Sequence, residues 1–217
     1  NSGYTTVVIT AVFNAYFVGV VAGNAEWATF AWTLAIAASS AIVMTVMPAL
    51  GAWADLRAAK KRLLVVATLG CIGGTAALAL AGRGDVMTAA LLIVASNTCF
   101  AIGESLTAAF LPELARRDAL GRVSGWGWSF GYLGGMLTLG ASLAYVLHAQ
   151  ARGLPATEFV PVTMLITAGI YAAAACATFA LLREHAQPQS GAAHSGGVRA
   201  ALRRLGSTWR HARRYRD

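Results

Sequence analysis

Charge is what this sequence has least of. Only 12% of its 217 residues are Asp, Glu, Lys or Arg, about half the share in ordinary soluble domains, which runs near a quarter. With 57% hydrophobic residues and a mean hydropathy of +0.60, the chain reads as a membrane protein. Cysteine is scarce too. Cys71, Cys99 and Cys176 each lie inside an apolar run, where they serve as small packing residues; their spacing suits neither a disulfide framework nor a zinc site. Catalytic sets are missing. His148, His185, His194 and His211 are scattered, with no HExxH, no paired acids within an apolar run and no Ser-His arrangement. The expectation is therefore no enzyme, no metal and no cofactor.

What the sequence has in abundance is long apolar runs. Six are long enough to cross about 30 Å of hydrocarbon, which takes roughly 17–25 helical residues. They cover residues 2–21, 30–53, 63–81, 87–110, 125–148 and 159–182. Each exceeds strand length, and backbone groups in lipid must be satisfied within the segment, so helices follow. The expected fold is an all-α integral membrane protein with six transmembrane helices in residues 1–182. Residues 183–197, rich in Gly, Ser, Pro and Ala, read as a flexible cytoplasmic linker. Over 198–217 the residues Val198, Leu202, Leu205 and Trp209 recur at helical spacing opposite a row of arginines. That pattern predicts a basic amphipathic helix lying on the inner leaflet. The chain opens inside an apolar run without an initiator Met or a secretory pattern, which reads as a fragment of a longer protein.

The net charge of +8 would suit nucleic acid, but its distribution points to a bilayer. Arg57, Lys60, Lys61 and Arg62 follow the second run, Arg116, Arg117 and Arg122 follow the fourth, and eight arginines follow the sixth. Fifteen of the 17 cations thus fall on one side, against Arg83 and Arg152 on the other. The positive-inside rule then places both termini in the cytoplasm, and a bacterial inner membrane is the expected location. Trp27, Trp32, Trp53 and Trp126 near helix ends fit interfacial anchoring.

Polar residues inside the runs are the candidates for function. Glu104 is an acid in the fourth run with no cation near it in sequence. Such a carboxyl is expensive in lipid and faces a cavity or a partner; it either carries a proton or is held between helices by hydrogen bonds. Asn97, Ala101, Glu104 and Ala108 share one helical face. In the first run Asn1, Tyr4 and Asn14 cannot all face lipid cheaply, whereas the threonines can bond back to their own helix. Asn1, Tyr4, Asn14, Asn97 and Glu104 are therefore the candidate solute and proton pathway. In the fifth run Gly127, Gly131 and Gly135 make two overlapping GxxxG steps, a face for close helix contact; with no preceding strand and no following Lys-Ser/Thr, the pattern is a weak match to a nucleotide loop.

The loop carrying Gly51, Asp55, Arg57, Lys60 and Lys61 resembles the signature loop of the major facilitator superfamily, with Leu56 where an Arg is common and Ala58 where a Gly is common. Three further stretches are similar to one branch, the fungal vacuolar autophagy-related amino-acid effluxers and their bacterial relatives. They are Asn1-Ser2-Gly3-Tyr4, Phe110-Leu111-Pro112-Glu113-Leu114, and Arg122-Val123-Ser124-Gly125 running on to Gly131-Tyr132-Leu133-Gly134-Gly135. The resemblance implies the amino-terminal six-helix half of a twelve-helix transporter. Segments one and four would line the cavity, and segments two and five, with the glycine face, would meet the other half. Asp55 would latch one access state with Arg57 as its partner.

Two functions are in view. The first is secondary active transport of a small polar solute by alternating access, with amino-acid efflux and proton coupling as the candidate specifics. The alternative is a non-transporting scaffold or sensor whose basic tail binds lipid or a partner. The expected partners are the lipid bilayer, a small-molecule solute, and a carboxy-terminal six-helix half or a second copy of the chain, with no nucleic acid.

Overall fold

A computed structural model describes residues 2–114 and 118–182. Within them the chain forms six long helices and no strand: α1 (Ser2–Val21), α2 (Ala28–Arg57), α3 (Lys60–Leu80), α4 (Val86–Leu114), α5 (Leu120–Ala151) and α6 (Ala156–Leu181). All six are long and apolar enough to cross a membrane. Asn1 and the predicted linker and amphipathic helix lie outside the described residues.

Several helices outrun their apolar segments. The 30 residues of α2 measure about 45 Å at 1.5 Å per residue, against about 30 Å of hydrocarbon. Hydropathy marks only the lipid-crossing part, whereas backbone hydrogen bonding carries the helix on into water. What stops α2 is a turn at Ala58, which takes the left-handed conformation (φ 49°, ψ 49°). The Ala59 N–H donates back to the Ala54 carbonyl at 3.0 Å, closing the helix end as a glycine cap ordinarily would.

The first helix is unlike the rest. It alternates short α-helical stretches with wider π-helical turns over Thr5–Ala11 and Phe17–Val21. It is also the hub of the bundle. Val7, Val8, Phe13 and Phe17 are fully buried, and Phe13 and Phe17 pack against Trp32 of α2. Its start lies against α5 at very short range: a methyl group on Gly3 would meet the Thr138 side chain 2.4 Å away, and Gly131 and Gly135 face Ser2.

The most extensive helix pair is α3 with α4. Small residues set that distance as well. A Cβ on Gly70 would lie 2.6 Å from the Cys99 sulfur, and one on Gly74 would lie 2.8 Å from the Ser96 Cβ. Lipid tails are as apolar as any side chain, so close van der Waals contact of this kind holds spanning helices together. Large apolar residues point outward instead, among them Phe30, Leu34 and Met44 on α2 and Trp126, Trp128, Phe130 and Tyr132 on α5.

Candidate transport pathway and gating loop

Antiparallel packing brings three chain ends to one basic end of the bundle: the α2–α3 turn, the end of α4 and the end of α6. The opposite end carries the short loops with Arg83 and Arg152.

Tyr4 is buried. Its hydroxyl shares a 2.9 Å hydrogen bond with Ser96 of α4, and its ring stacks on Phe100 at 5.1 Å between centroids. Asn97 turns the other way, donating to the Ser39 hydroxyl of α2 at 2.6 Å. The amide thus joins two helices, while Glu104, two turns further along α4, stands exposed. Asn14, half-buried, donates from Nδ2 to the Ile9 carbonyl at 3.4 Å, and Thr10 likewise donates to the Thr5 carbonyl. Both bonds reach five residues back, the spacing of the π-helical turns, so the wide register of α1 and its polar side chains fit together.

The expected division of the glycine face is corrected. Gly131 and Gly135 pack against Ser2 and Thr6 of α1 in the same six-helix unit, while Gly127 meets nothing within 4 Å. Close approach is found at two of the three glycines. Only the three-dimensional arrangement shows that the neighbour is α1, because spacing carries no information about which helix approaches.

At the basic end the loop residues separate into distinct roles. Lys60 pairs with Asp55, Nζ to Oδ1 2.9 Å. Arg57, expected beside Asp55, instead lies over the Trp53 ring, 5.4 Å from its centroid. The reversal of the chain at Ala58 accounts for this. It folds Lys60 back toward Asp55, whereas Arg57, still on the last turn of α2, is one turn on from Trp53. Lys61 points across the bundle and donates to the carbonyls of Phe179 (3.1 Å) and Leu182, at the end of α6. Those carbonyls belong to the last turn of a helix, where no backbone partner remains and a cation is favoured. Gly51 has open space around it.

The sequence reading passed over one feature. Between α3, α4 and α6 lies a cleft of about 170 Å³, lined by Leu64, Thr68, Gly103, Thr107, Tyr171 and Thr178 among others. Tyr171 of α6 and Thr68 of α3 both line it, and Glu104 is near enough to act on Tyr171 electrostatically. Single hydroxyls in apolar helices usually bond to their own backbone, so nothing in the one-dimensional pattern marks four of them as sharing a wall.

The arrangement holds no group of three metal-ligating side chains among the described residues. It offers an open polar face on α1, an exposed intramembrane acid, and a loop that ties helix ends together. The sequence pattern of one family, described as vacuole effluxer Atg22 like, matches residues 14–217. The chain belongs to this family. The chain is also 29% identical, over 158 residues, to the uncharacterized MFS-type transporter YxiO of Bacillus subtilis strain 168, an alignment covering 71% of this chain and 37% of that relative. The chain thus spans well under half the length of this relative. No solved structure matches. With six spanning-capable helices, it fits the amino-terminal half of a major facilitator fold and is a multi-pass integral membrane protein with a transporter's ancestry.

Proposed function

We propose that this Atg22-like chain forms half of a secondary active transporter that moves a small polar solute, with amino acids as the candidate class, by alternating access. The observation that carries the reading is the outward-facing polar set in an otherwise apolar bundle. Asn14 is half-exposed on α1 and Glu104 is exposed on α4. Lipid does not accept such groups, so they belong on a surface that another six-helix unit covers, with a wet cavity between the two. A carboxy-terminal half of the same protein, or a second copy, supplies that cover.

Glu104 is the proton carrier in this reading, because a carboxyl that exchanges water for a dry interface can change protonation as the halves rock. Asp55 and Lys60 form a breakable latch at the basic end. The fifteen-to-two cation asymmetry puts that end in the cytoplasm of a bacterial inner membrane.

The test is uptake and counterflow in proteoliposomes with the full-length parent and a mixed amino-acid pool, with and without a pH gradient. Accumulation that follows the gradient and is lost in Glu104→Gln supports the reading. Gradient-driven accumulation that survives the substitution removes Glu104 from the mechanism. Absence of any flux from folded protein overturns transport and favours a scaffold held to the membrane by its basic tail.

A further inference from the structure

We propose that the cleft between α3, α4 and α6 is a water-holding branch that delivers protons from the basic end of the bundle to Glu104. The inference rests on the proton-coupled reading above and adds to it the route and the residues that form it.

The first argument is the lining. Thr68, Thr107, Tyr171 and Thr178 converge on one space from three different helices, in a region whose other residues are Leu, Ala, Gly and Phe. Two of these hydroxyls have their protons engaged along their own helices: Thr107 donates to the Gly103 carbonyl at 2.8 Å and Thr178 to the Ala174 carbonyl at 2.8 Å. Their oxygen lone pairs are left as acceptors toward the cleft. Buried water needs two to four polar partners and a space larger than one molecule. A volume of about 170 Å³ has room for several waters, each of which takes roughly 30 Å³ in the liquid.

The second argument is where the cleft begins and ends. Its cytoplasmic end is bounded by Leu64, one turn beyond Lys61, and by Phe179, whose carbonyl accepts from Lys61. At depth it reaches Thr68 and Tyr171, the latter within electrostatic reach of Glu104. Gly103 and Thr107, which flank Glu104 on α4, are both in the wall. The cleft therefore runs from residues beside the loop region to residues next to the intramembrane acid. The titratable groups facing this region are Glu104 and Cys99 on α4, Tyr171 on α6, Tyr4 on α1 and Cys71 on α3, with Lys61 at the mouth. Glu104 is the carboxyl among them and the natural proton acceptor.

The third argument concerns access. Lys61 holds the end of α6 against the start of α3, so the two helices bounding the mouth are tied together. The mouth then keeps its width while the latch at Asp55 and Lys60 opens and closes, and protons reach Glu104 by a side path distinct from the solute's central one.

The test uses the full-length parent in proteoliposomes, comparing pH-driven accumulation with solute counterflow, which needs no net proton movement. Tyr171→Phe and Thr107→Val remove hydroxyls with little change of shape. Each should slow pH-driven accumulation about tenfold or more while leaving counterflow unchanged; a packing defect would lower both. As an independent readout, Thr107→Cys or Thr178→Cys, in a background with the native cysteines replaced, should react with a small cationic methanethiosulfonate applied from the cytoplasmic side. Coupling that survives both substitutions, or cysteines that stay unreactive, overturns the cleft as a proton branch while leaving coupled transport standing. A wild-type protein with counterflow but no response to pH overturns the coupled reading itself, and this inference with it.

Discussion

Asp55 and Lys60 face each other across the left-handed turn at Ala58, with 2.9 Å between carboxylate oxygen and ammonium nitrogen. The pair is asymmetric, since the Asp55 side chain is 58% exposed and that of Lys60 only 14%. An ion pair so open to water contributes less than about 1 kcal/mol, so its value lies in being easily made and broken. Asp55→Asn should shift the melting temperature of the purified protein little, while slowing exchange between access states and with it solute flux. A large loss of stability with flux per folded molecule unchanged would count against the latch.

The turn itself offers a stabilising substitution. An L-residue in the left-handed region costs roughly 1 kcal/mol relative to glycine, and Ala58 sits there at φ 49°. Ala58→Gly is expected to raise stability by about 0.5–1 kcal/mol. Thermal unfolding in detergent would register it, and a drop would mean that the Ala58 methyl makes a contact worth more than the strain.

Close packing of α3 on α4 predicts a sharp contrast between adjacent glycines. Gly74→Ala would place a methyl 2.8 Å from the Ser96 Cβ and 3.3 Å from its Cα. Because the obstacle includes backbone, the helices must part, at a cost of about 1–3 kcal/mol. Gly73 has nothing within 4 Å, and Gly73→Ala should be neutral or stabilising by up to about 1 kcal/mol through helix propensity. Equal effects at the two positions would contradict the described crossing.

Lys61 supplies the last turn of α6 with donors. Lys61→Met should destabilise by about 1 kcal/mol, within the range for a cation at a helix carboxy terminus, and Lys61→Arg should recover most of the loss. Hydrogen exchange localised to the end of α6 would distinguish this from a general effect of charge on the loop.

Ser142 of α5 is fully buried and its hydroxyl has no partner. Leaving a buried hydroxyl unsatisfied costs about 1 kcal/mol or more, so Ser142→Ala is expected to raise the melting temperature. A decrease would show that the hydroxyl finds a partner in the assembled membrane protein.

Much of this was legible in one dimension, for identifiable reasons. Apolar length sets the six helices because lipid offers no alternative partner for a backbone amide, and the basic loops flank them because charge stays in water. The acid at Glu104 stood out because a carboxyl within an apolar run is expensive in lipid. Small-residue spacing on α5 marked a packing face. Hydroxyls gave no comparable signal, so the cleft that Thr68 and Tyr171 share was not legible.

The sequence by itself determined the class, the number of spans and the loop that ties them, because each follows from the free energy of placing single residues in lipid or water. Only the tertiary structure decided which side chains meet. It turned Asn97 to Ser39, gave Asp55 to Lys60 in place of Arg57, set Gly131 and Gly135 against α1, and sent Lys61 to α6. Those choices depend on helix rotation, on the reversal at Ala58 for Asp55, and for the others on neighbours more than fifty residues away, and a periodicity along one helix contains none of these.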